Sequence, residues 1–144
     1  MKPLPHHYQS SATSAPQGRV ALTANDLPTI ESGAPADFGG PGDCWSPEDL
    51  LVAAVADCFI LTFRAVARAA GLSWTSLQCD AEGLLERVDR QMKFTRFDLT
   101  ARLTVVPEVD ATRAKSLLAQ AEKGCLVSNS LSAETRLSCS VEHA

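Results

Sequence analysis

The sequence contains no closely spaced pair of metal ligands. Its five cysteines are spread along the chain, and its three histidines, His6, His7 and His143, lie near the termini. Structural zinc sites in proteins draw on cysteine and histidine pairs that lie a few residues apart. A metal site built from Cys58, Cys125 and a histidine is therefore the least favoured function, and we expect no metal.

The chain also lacks a strong net charge and an apolar N-terminal segment. A net charge of −4 over 144 residues gives no reason to expect nucleic acid or an anionic membrane as a partner. The opening MKPLPHHYQ has no apolar stretch of the kind found in signal peptides, so we expect a reducing, cytoplasmic environment. In that environment, an odd number of cysteines indicates free thiols rather than a disulfide framework.

One long apolar run, residues 50–70, suggests a membrane-spanning helix. Asp57, Arg64 and Arg68 interrupt it, whereas a span needs about 20 predominantly apolar residues. We therefore interpret it as a helix of a soluble protein. Because the helix is apolar nearly all round up to Arg64, we expect it to be buried on several sides by sheet, with a partner subunit as a further covering surface.

Local signals predict the remaining elements. Ser46 and Pro47 are typical of a helix start, Asp110 of an N-cap, and Gly71 and Gly124 of helix ends. The elements expected in chain order are a strand at 18–24, loops and short strands over 25–45, a helix from 47 to 71, strands at 74–88 and 93–106 that turn at 89–90, a helix at 111–124 and a strand at 134–142. The pattern predicts a single α+β domain over residues 1–144.

Five cysteines lie in unlike surroundings. Cys58 lies in the middle of the apolar helix, where a thiol often packs as a small hydrophobe. Cys125 follows a helix end, where the backbone amides of a new helical turn are expected to lower a thiol pKa. Cys79 and Cys139 fall within strand patterns and are interpreted as packing residues. Cys44, in a glycine- and proline-rich loop, is interpreted as an incidental thiol.

Two stretches resemble the OsmC/Ohr family, the osmotically inducible protein C and organic hydroperoxide resistance proteins. SPEDLLVAAVADCF resembles the pattern N-P-E-x-L-x-A-A-x-x-A-C-F, and KGCLVSNSL resembles the pattern C-P-x-S. The glycines of GGPG at 39–42 fit the same family. Each motif alone is weak, but both in this order are specific, and the resemblance covers roughly residues 18–144.

The resemblance implies an OsmC-like fold, with antiparallel sheets wrapped around a long central helix in an intertwined homodimer. It implies a thiol-dependent peroxidase that reduces organic hydroperoxides, with Cys58 as the peroxidatic cysteine and Cys125 as the resolving cysteine that joins it in a disulfide. It implies no cofactor, and an external dithiol of the dihydrolipoyl type as reductant. Glu48 matches the family's glutamate, which pairs with an arginine, and Arg19 is the candidate for that arginine.

Glu48 precedes Cys58 by ten residues, which is about 15 Å along a straight helix. We therefore predict that Glu48 approaches Cys58 from the partner subunit, or that the helix bends. The alternative role for Glu48 is that of a first-turn acid that complements the helix dipole.

Three residues depart from the family pattern. Asp57 stands in place of a small residue and is expected to raise the pKa of Cys58 unless it faces away. Leu126 replaces a proline, which is expected to loosen the turn and slow disulfide closure. Arg19 follows one glycine where the family has two.

A second hypothesis keeps the same dimeric scaffold but gives it another function. It is a stress-response protein that binds a small apolar ligand and has only weak peroxidase activity. Replacing Cys58 by serine separates the two hypotheses, because an enzyme loses its activity while a binding protein keeps its ligand.

Overall fold

Two three-stranded sheets and three helices make up the fold. The computed structural model describes residues 1–144, which divide into one unit of Met1–Leu50 and another of Leu51–Ala144. The elements in chain order are β1 (Ser11–Thr13), β2 (Val20–Thr23), β3 (Ile30–Ser32), α1 (Pro47–Ala70), β4 (Trp74–Val88), β5 (Gln91–Val105), α2 (Ala111–Gly124), α3 (Leu126–Asn129) and β6 (Glu134–His143). The predicted α+β class is confirmed.

The first unit contains the antiparallel sheet β1-β2-β3. A loop follows β3 and carries one turn of 3-10 helix at Ala36–Phe38. A Cβ atom at Gly40 would lie 1.9 Å from the carbonyl oxygen of Ala34, so this close approach of two backbone segments accepts only glycine. The loops and short strands predicted for residues 25–45 are therefore confirmed.

Helix α1 begins at the predicted residue because Ser46 and Asp49 cap it reciprocally. The Ser46 hydroxyl accepts the backbone N–H of Asp49 at 3.0 Å, and the Asp49 carboxylate accepts the backbone N–H of Ser46 at 3.1 Å. This is the arrangement of a capping box, with an aspartate at the third helical position. The helix ends at Ala70, where Gly71 follows with a φ of 66°, as the predicted C-terminal glycine.

The second unit contains the sheet β4-β5-β6. Strands β4 and β5 form the predicted long hairpin, which turns at Asp89 and Arg90, both with positive φ. Strand β6 pairs parallel with β5, so this sheet is mixed, and the expected antiparallel arrangement is corrected at this one pairing. The reason is that α2 and α3 lie between the two strands, and such a crossover returns the chain to the same end of the sheet.

The core of the second unit is formed by one stripe of α1, one face of β5 and one face of α2. Phe97, Leu99, Ala101, Leu103 and Val105 alternate along β5 and are all buried, as their period of two predicts. The residues that α1 and α2 bury against them are spaced by three or four: Val55, Phe59, Phe63, Ala67, Ala114, Leu118 and Ala121.

Within one chain, helix α1 is buried along one side, so its burial on several sides, with a partner subunit as a further covering surface, stays a prediction. Its buried residues form a single stripe, and Leu61 remains 51% exposed. By length and composition alone, α1 also qualifies as a membrane-spanning helix, since its most apolar window has a mean hydropathy of 2.0. The core helix of a soluble protein meets the same criterion, so this property is weak evidence for a membrane.

Replacing Phe63 by alanine tests the packing of α1. Phe63 is fully buried and lies edge-on to Trp74, with 5.4 Å between ring centroids. We expect Phe63→Ala to lower the free energy of unfolding by about 3–5 kcal/mol, because it leaves a cavity in the core. Phe38→Ala is the matched control, since Phe38 is 49% exposed. Equal losses for the two variants in urea titrations would contradict this packing.

Candidate active site

Cys58 lies at the edge of the buried stripe of α1, one residue before Phe59. Its side chain is half-buried and lines an open groove of about 510 Å³. The other lining residues are mostly apolar and come from α1 and from the start of α3: Ala54, Asp57, Leu61, Thr62, Ala65, Leu126 and Val127. A thiol that is packed on one side and open on the other can react with a molecule that enters the groove.

Cys125 lies where α2 ends and α3 begins. The side chain is only 1% exposed. Its backbone N–H donates to the carbonyl of Glu122 at 3.3 Å, and its carbonyl accepts the N–H of Asn129 at 3.0 Å. The Ser128 hydroxyl donates to the Cys125 sulfur at 3.4 Å. The backbone around this thiol is therefore fixed on both sides.

The structure brings Cys58 and Cys125 together. Burial on its own raises the pKa of Cys58, but hydrogen-bond donors around the sulfur outweigh burial and bring the pKa below its ordinary value. In order of decreasing effect, these donors are the N–H of Val127, the thiol of Cys125, the hydroxyl of Thr62 and the N–H of Leu126. Cys58 is therefore the thiol of the pair that ionises more readily.

The pKa of Cys125 shifts the other way. Burial is the main cause and raises it, the hydroxyl and the N–H of Ser128 oppose the rise, and the neighbouring Cys58 adds to it. The N–H of Ser128 in the new helical turn lowers the pKa of Cys125 as expected, but burial outweighs it, so the net shift is opposite to the prediction. The first two amides of that turn, at 126 and 127, act on Cys58 instead.

Two residues near Cys58, Asp57 and Leu126, depart from the family pattern, and they relate differently to the pKa of this thiol. Asp57 is exposed and lines the groove, yet the pKa of Cys58 is lowered. Leu126 is the first residue of α3 and supplies a backbone N–H to Cys58, which a proline at this position could not do. The replacement of proline by leucine thus adds a donor to the reactive sulfur.

Glu48 and Arg19 do not contact each other in this structure. Arg19 donates to Glu31 at 3.0 Å and to Asp43 at 3.1 Å. Glu48 lies in the first turn of α1 and lines a cavity of about 350 Å³ with Gly18 and other residues of the first unit. One Glu48 carboxylate oxygen is buried and has no hydrogen-bond partner. The roles assigned to Glu48 and Arg19 remain predictions.

Cys79 and Cys139 fit their predicted packing roles. Cys79 and Cys139 lie on either side of Ala101 in the sheet and pack against the core. Burial, with smaller effects of Asp80 and Cys125, raises the pKa of Cys79 to about 11, so this thiol stays protonated at neutral pH.

Two polar residues of the site were not predicted from the sequence. Thr62 lies one helical turn after Cys58, and its hydroxyl donates to the Cys58 carbonyl at 2.7 Å. Ser128 lies three residues after Cys125 and was visible as the serine of the C-P-x-S pattern, but no role followed from the pattern. Both contacts depend on helical spacing around a cysteine.

Comparison with known proteins places the chain in a family. Residues 40–140 match the family model described as OsmC-like protein. The chain therefore belongs to the OsmC family, which confirms the resemblance seen in the sequence.

Three relatives show how far the similarity extends. The uncharacterized protein YmaD of Bacillus subtilis is 33% identical over 125 residues, which cover 78% of this chain and 82% of YmaD. Peroxiredoxin OsmC of Escherichia coli is 34% identical over 92 residues, or 64% of either protein, so the alignment spans slightly less than two thirds of its length. An organic hydroperoxide resistance protein OsmC from Legionella pneumophila has a crystal structure that superposes with a TM-score of 0.76 at 24% identity, covering 97% of this chain and 99% of that one. The fold is shared over nearly the whole chain.

Replacing Leu126 tests whether backbone donors activate Cys58. We expect Leu126→Pro to move the midpoint of Cys58 alkylation by iodoacetamide to higher pH, because proline removes one N–H donor from the thiolate. Proline is compatible with the first position of a helix, and Cys125 already has the extended backbone that precedes a proline (φ −69°, ψ 109°).

The matched control is Leu126→Ala, which removes the same side chain but keeps the N–H. Its midpoint should remain at the wild-type pH, since the N–H donor to Cys58 is kept. Identical midpoints in the proline and alanine variants would show that the N–H of residue 126 has no effect on Cys58.

Proposed function

We propose that the protein is a thiol-dependent peroxidase that reduces organic hydroperoxides to alcohols. The observation that carries this proposal is a pair of neighbouring thiols, in which Cys58 lines the open groove and has a lowered pKa, and Cys125 is buried and has a raised pKa. Relatives named peroxiredoxin OsmC and organic hydroperoxide resistance protein support the same chemistry.

The proposed cycle begins with the Cys58 thiolate. It attacks the distal oxygen of the hydroperoxide, the O–O bond breaks, and the alkoxide leaves as an alcohol after it takes up a proton. Cys58 is thereby oxidised to a sulfenic acid. The Cys125 sulfur then attacks the Cys58 sulfur, water leaves, and a Cys58–Cys125 disulfide forms. An external dithiol, for which we propose the dihydrolipoyl type, reduces the disulfide and restores both thiols.

The lining of the groove favours an apolar peroxide. Ala54, Leu61, Ala65, Leu126 and Val127 present hydrocarbon to it, whereas Asp57 and Thr62 are its polar side chains besides the thiol. An alkyl or aryl hydroperoxide gains free energy by burying its organic part there, at about 25 cal/mol per Å² of apolar surface. Hydrogen peroxide gains nothing from such a surface.

The exposed apolar side of α1 supports a homodimer as part of the proposal. Leu61 on α1 and Leu126 on α3 are 51% and 70% exposed, although both are large and apolar. A second copy of the chain that covers this side of α1 would bury them and narrow the groove beside Cys58. We further propose that the unpartnered carboxylate of Glu48 accepts an arginine in the working enzyme, with Arg19 as the candidate once it leaves Glu31 and Asp43.

The peroxidase proposal is tested by steady-state turnover of cumene hydroperoxide with dihydrolipoamide. Wild type should turn over, and both Cys58→Ser and Cys125→Ser should fall to the background rate because each lacks one sulfur of the disulfide. Cys139→Ser is the matched control and should keep its activity, since Cys139 packs against the core away from the groove. If reduced wild-type protein shows no turnover with any dithiol, the peroxidase proposal is refuted and the ligand-binding alternative is favoured.

The homodimer is tested by sedimentation. We expect wild type to sediment as a species of twice its 15.3 kDa mass, and Leu61→Lys to shift it towards the monomer, because the buried charge would have no partner. Leu27→Lys is the control, since Leu27 is 65% exposed in the turn after β2. A monomeric wild type at micromolar concentration would contradict the proposed dimer.

A further inference from the structure

The two sulfur atoms of the site differ in access from outside. Cys58 lines the open groove of about 510 Å³, whereas Cys125 is 1% exposed and does not line it. A thiol that reduces a disulfide approaches one sulfur in line with the S–S bond and expels the other. A molecule in the groove can reach Cys58 in this way, and the protein covers Cys125.

Ser128 is the residue that hydrogen-bonds to the buried sulfur of Cys125. Its side chain is 7% exposed, and its hydroxyl donates to the Cys125 sulfur at 3.4 Å. The backbone N–H of Ser128 is a second donor to the same sulfur. The donors at 126 and 127 serve Cys58, so each sulfur has its own set.

We propose that both external reactants, the hydroperoxide and the reducing thiol, react at the Cys58 sulfur, that Cys125 exchanges bonds only with Cys58, and that the Ser128 hydroxyl is a catalytic group that stabilises the Cys125 thiolate. This inference rests on the proposed peroxidase function and adds to it the direction of reductant attack and the role of Ser128.

The reductive step then runs in a fixed order. One thiolate of the external dithiol attacks the Cys58 sulfur, the Cys58–Cys125 bond breaks, and a mixed disulfide forms between Cys58 and the reductant. Cys125 leaves as a thiolate, held by the hydroxyl and N–H of Ser128, and takes up a proton. The second thiol of the reductant then attacks the reductant sulfur that is bonded to Cys58. Cys58 leaves as a thiolate held by the N–H groups of Leu126 and Val127. The reductant departs as a cyclic disulfide.

Ser128 acts in the oxidative step for the same reason. Cys125 must lose its proton to attack the sulfenic acid on Cys58, and burial opposes that loss. A hydrogen bond to a charged group is worth about 1.5–3 kcal/mol, so its loss is expected to slow a step that forms this thiolate by at least about tenfold. Peroxide attack by Cys58 does not involve the Cys125 thiolate and should keep its rate.

The direction of attack is tested on the wild-type protein without any substitution. Protein oxidised with one equivalent of cumene hydroperoxide is mixed with the monothiol 2-mercaptoethanol, quenched in acid within milliseconds to seconds, and mapped by peptide mass. Acid removes the thiolates and so stops further exchange. We expect the mixed disulfide on Cys58 at the earliest times. A mixed disulfide on Cys125, or an even division between the two, overturns the proposal.

The role of Ser128 is tested with three variants. Ser128→Ala should keep the rate of Cys58 oxidation within about twofold, but disulfide formation and reduction by dihydrolipoamide should each slow by at least about tenfold. The sulfenic acid, trapped with dimedone, should therefore persist longer. Ser128→Thr keeps the hydroxyl and should restore most of both rates.

Ser130→Ala is the matched control in the same segment. Ser130 is exposed, and its hydroxyl donates to the carbonyl of Leu126 rather than to a sulfur. All three rates should remain at the wild-type level in this variant. Equal slowing by Ser128→Ala and Ser130→Ala, or no slowing by Ser128→Ala, overturns the role of Ser128.

The design separates failure of this inference from failure of the peroxidase proposal. Formation of the Cys58–Cys125 disulfide is detected as a loss of two mass units. If wild type shows no such loss with cumene hydroperoxide, the peroxidase proposal itself fails. If the disulfide forms but reduction starts at Cys125, only the present inference fails.

Discussion

The hydrogen-bond donors around the Cys58 sulfur, among them the backbone N–H groups of Val127 and Leu126, bring the pKa of this thiol below its ordinary value. Burial on its own would raise the pKa of this thiol, and the donors around its sulfur reverse the effect. Because two of them belong to the main chain, no side-chain replacement except proline removes either. Their position follows from the end of α2 at Gly124 and the extended backbone of Cys125. The turn that directs these amides at Cys58 therefore also places the second sulfur.

The mixed sheet explains why this turn lies where it does. A parallel β5 and β6 need a crossover, and the crossover consists of α2 and α3, with Cys125 between them. Helix α2 contacts β6 and buries Ala114, Leu118 and Ala121. The segment that carries Cys125 is thus part of a packed connection rather than a free surface loop, and its burial follows from that.

Local signals in the sequence predicted most elements of the fold but not the arrangement of the second sheet. Ser46, Asp110 and the alternating residues of β5 act through neighbours a few positions away, so their effects can be predicted from the sequence. The direction of β6 depends on which strand it meets after a helical crossover, which no local pattern encodes.

The candidate site, like the fold, could be predicted from the sequence only in part. Cys58 and Cys125 were found by resemblance to a family, whereas their unequal pKa values depend on burial and on donors from a segment distant in the sequence. The sequence placed the helical amides beside Cys125 in the chain, but two of them act on Cys58, and burial outweighs the one that acts on Cys125. Ser128 was present in the motif, but its contact with Cys125 becomes meaningful only when both are seen to be buried.

The hydrogen bonds on either side of Cys125 have a consequence for the time course of the proposed cycle. Its N–H is bonded to Glu122 and its carbonyl to Asn129, so the backbone keeps its place while the sulfur moves. Closure of the disulfide then requires rotation of side chains, a motion of picoseconds to nanoseconds, rather than opening of a loop over microseconds to milliseconds. In the proposed cycle, the lifetime of the Cys58 sulfenic acid then does not depend on loop opening.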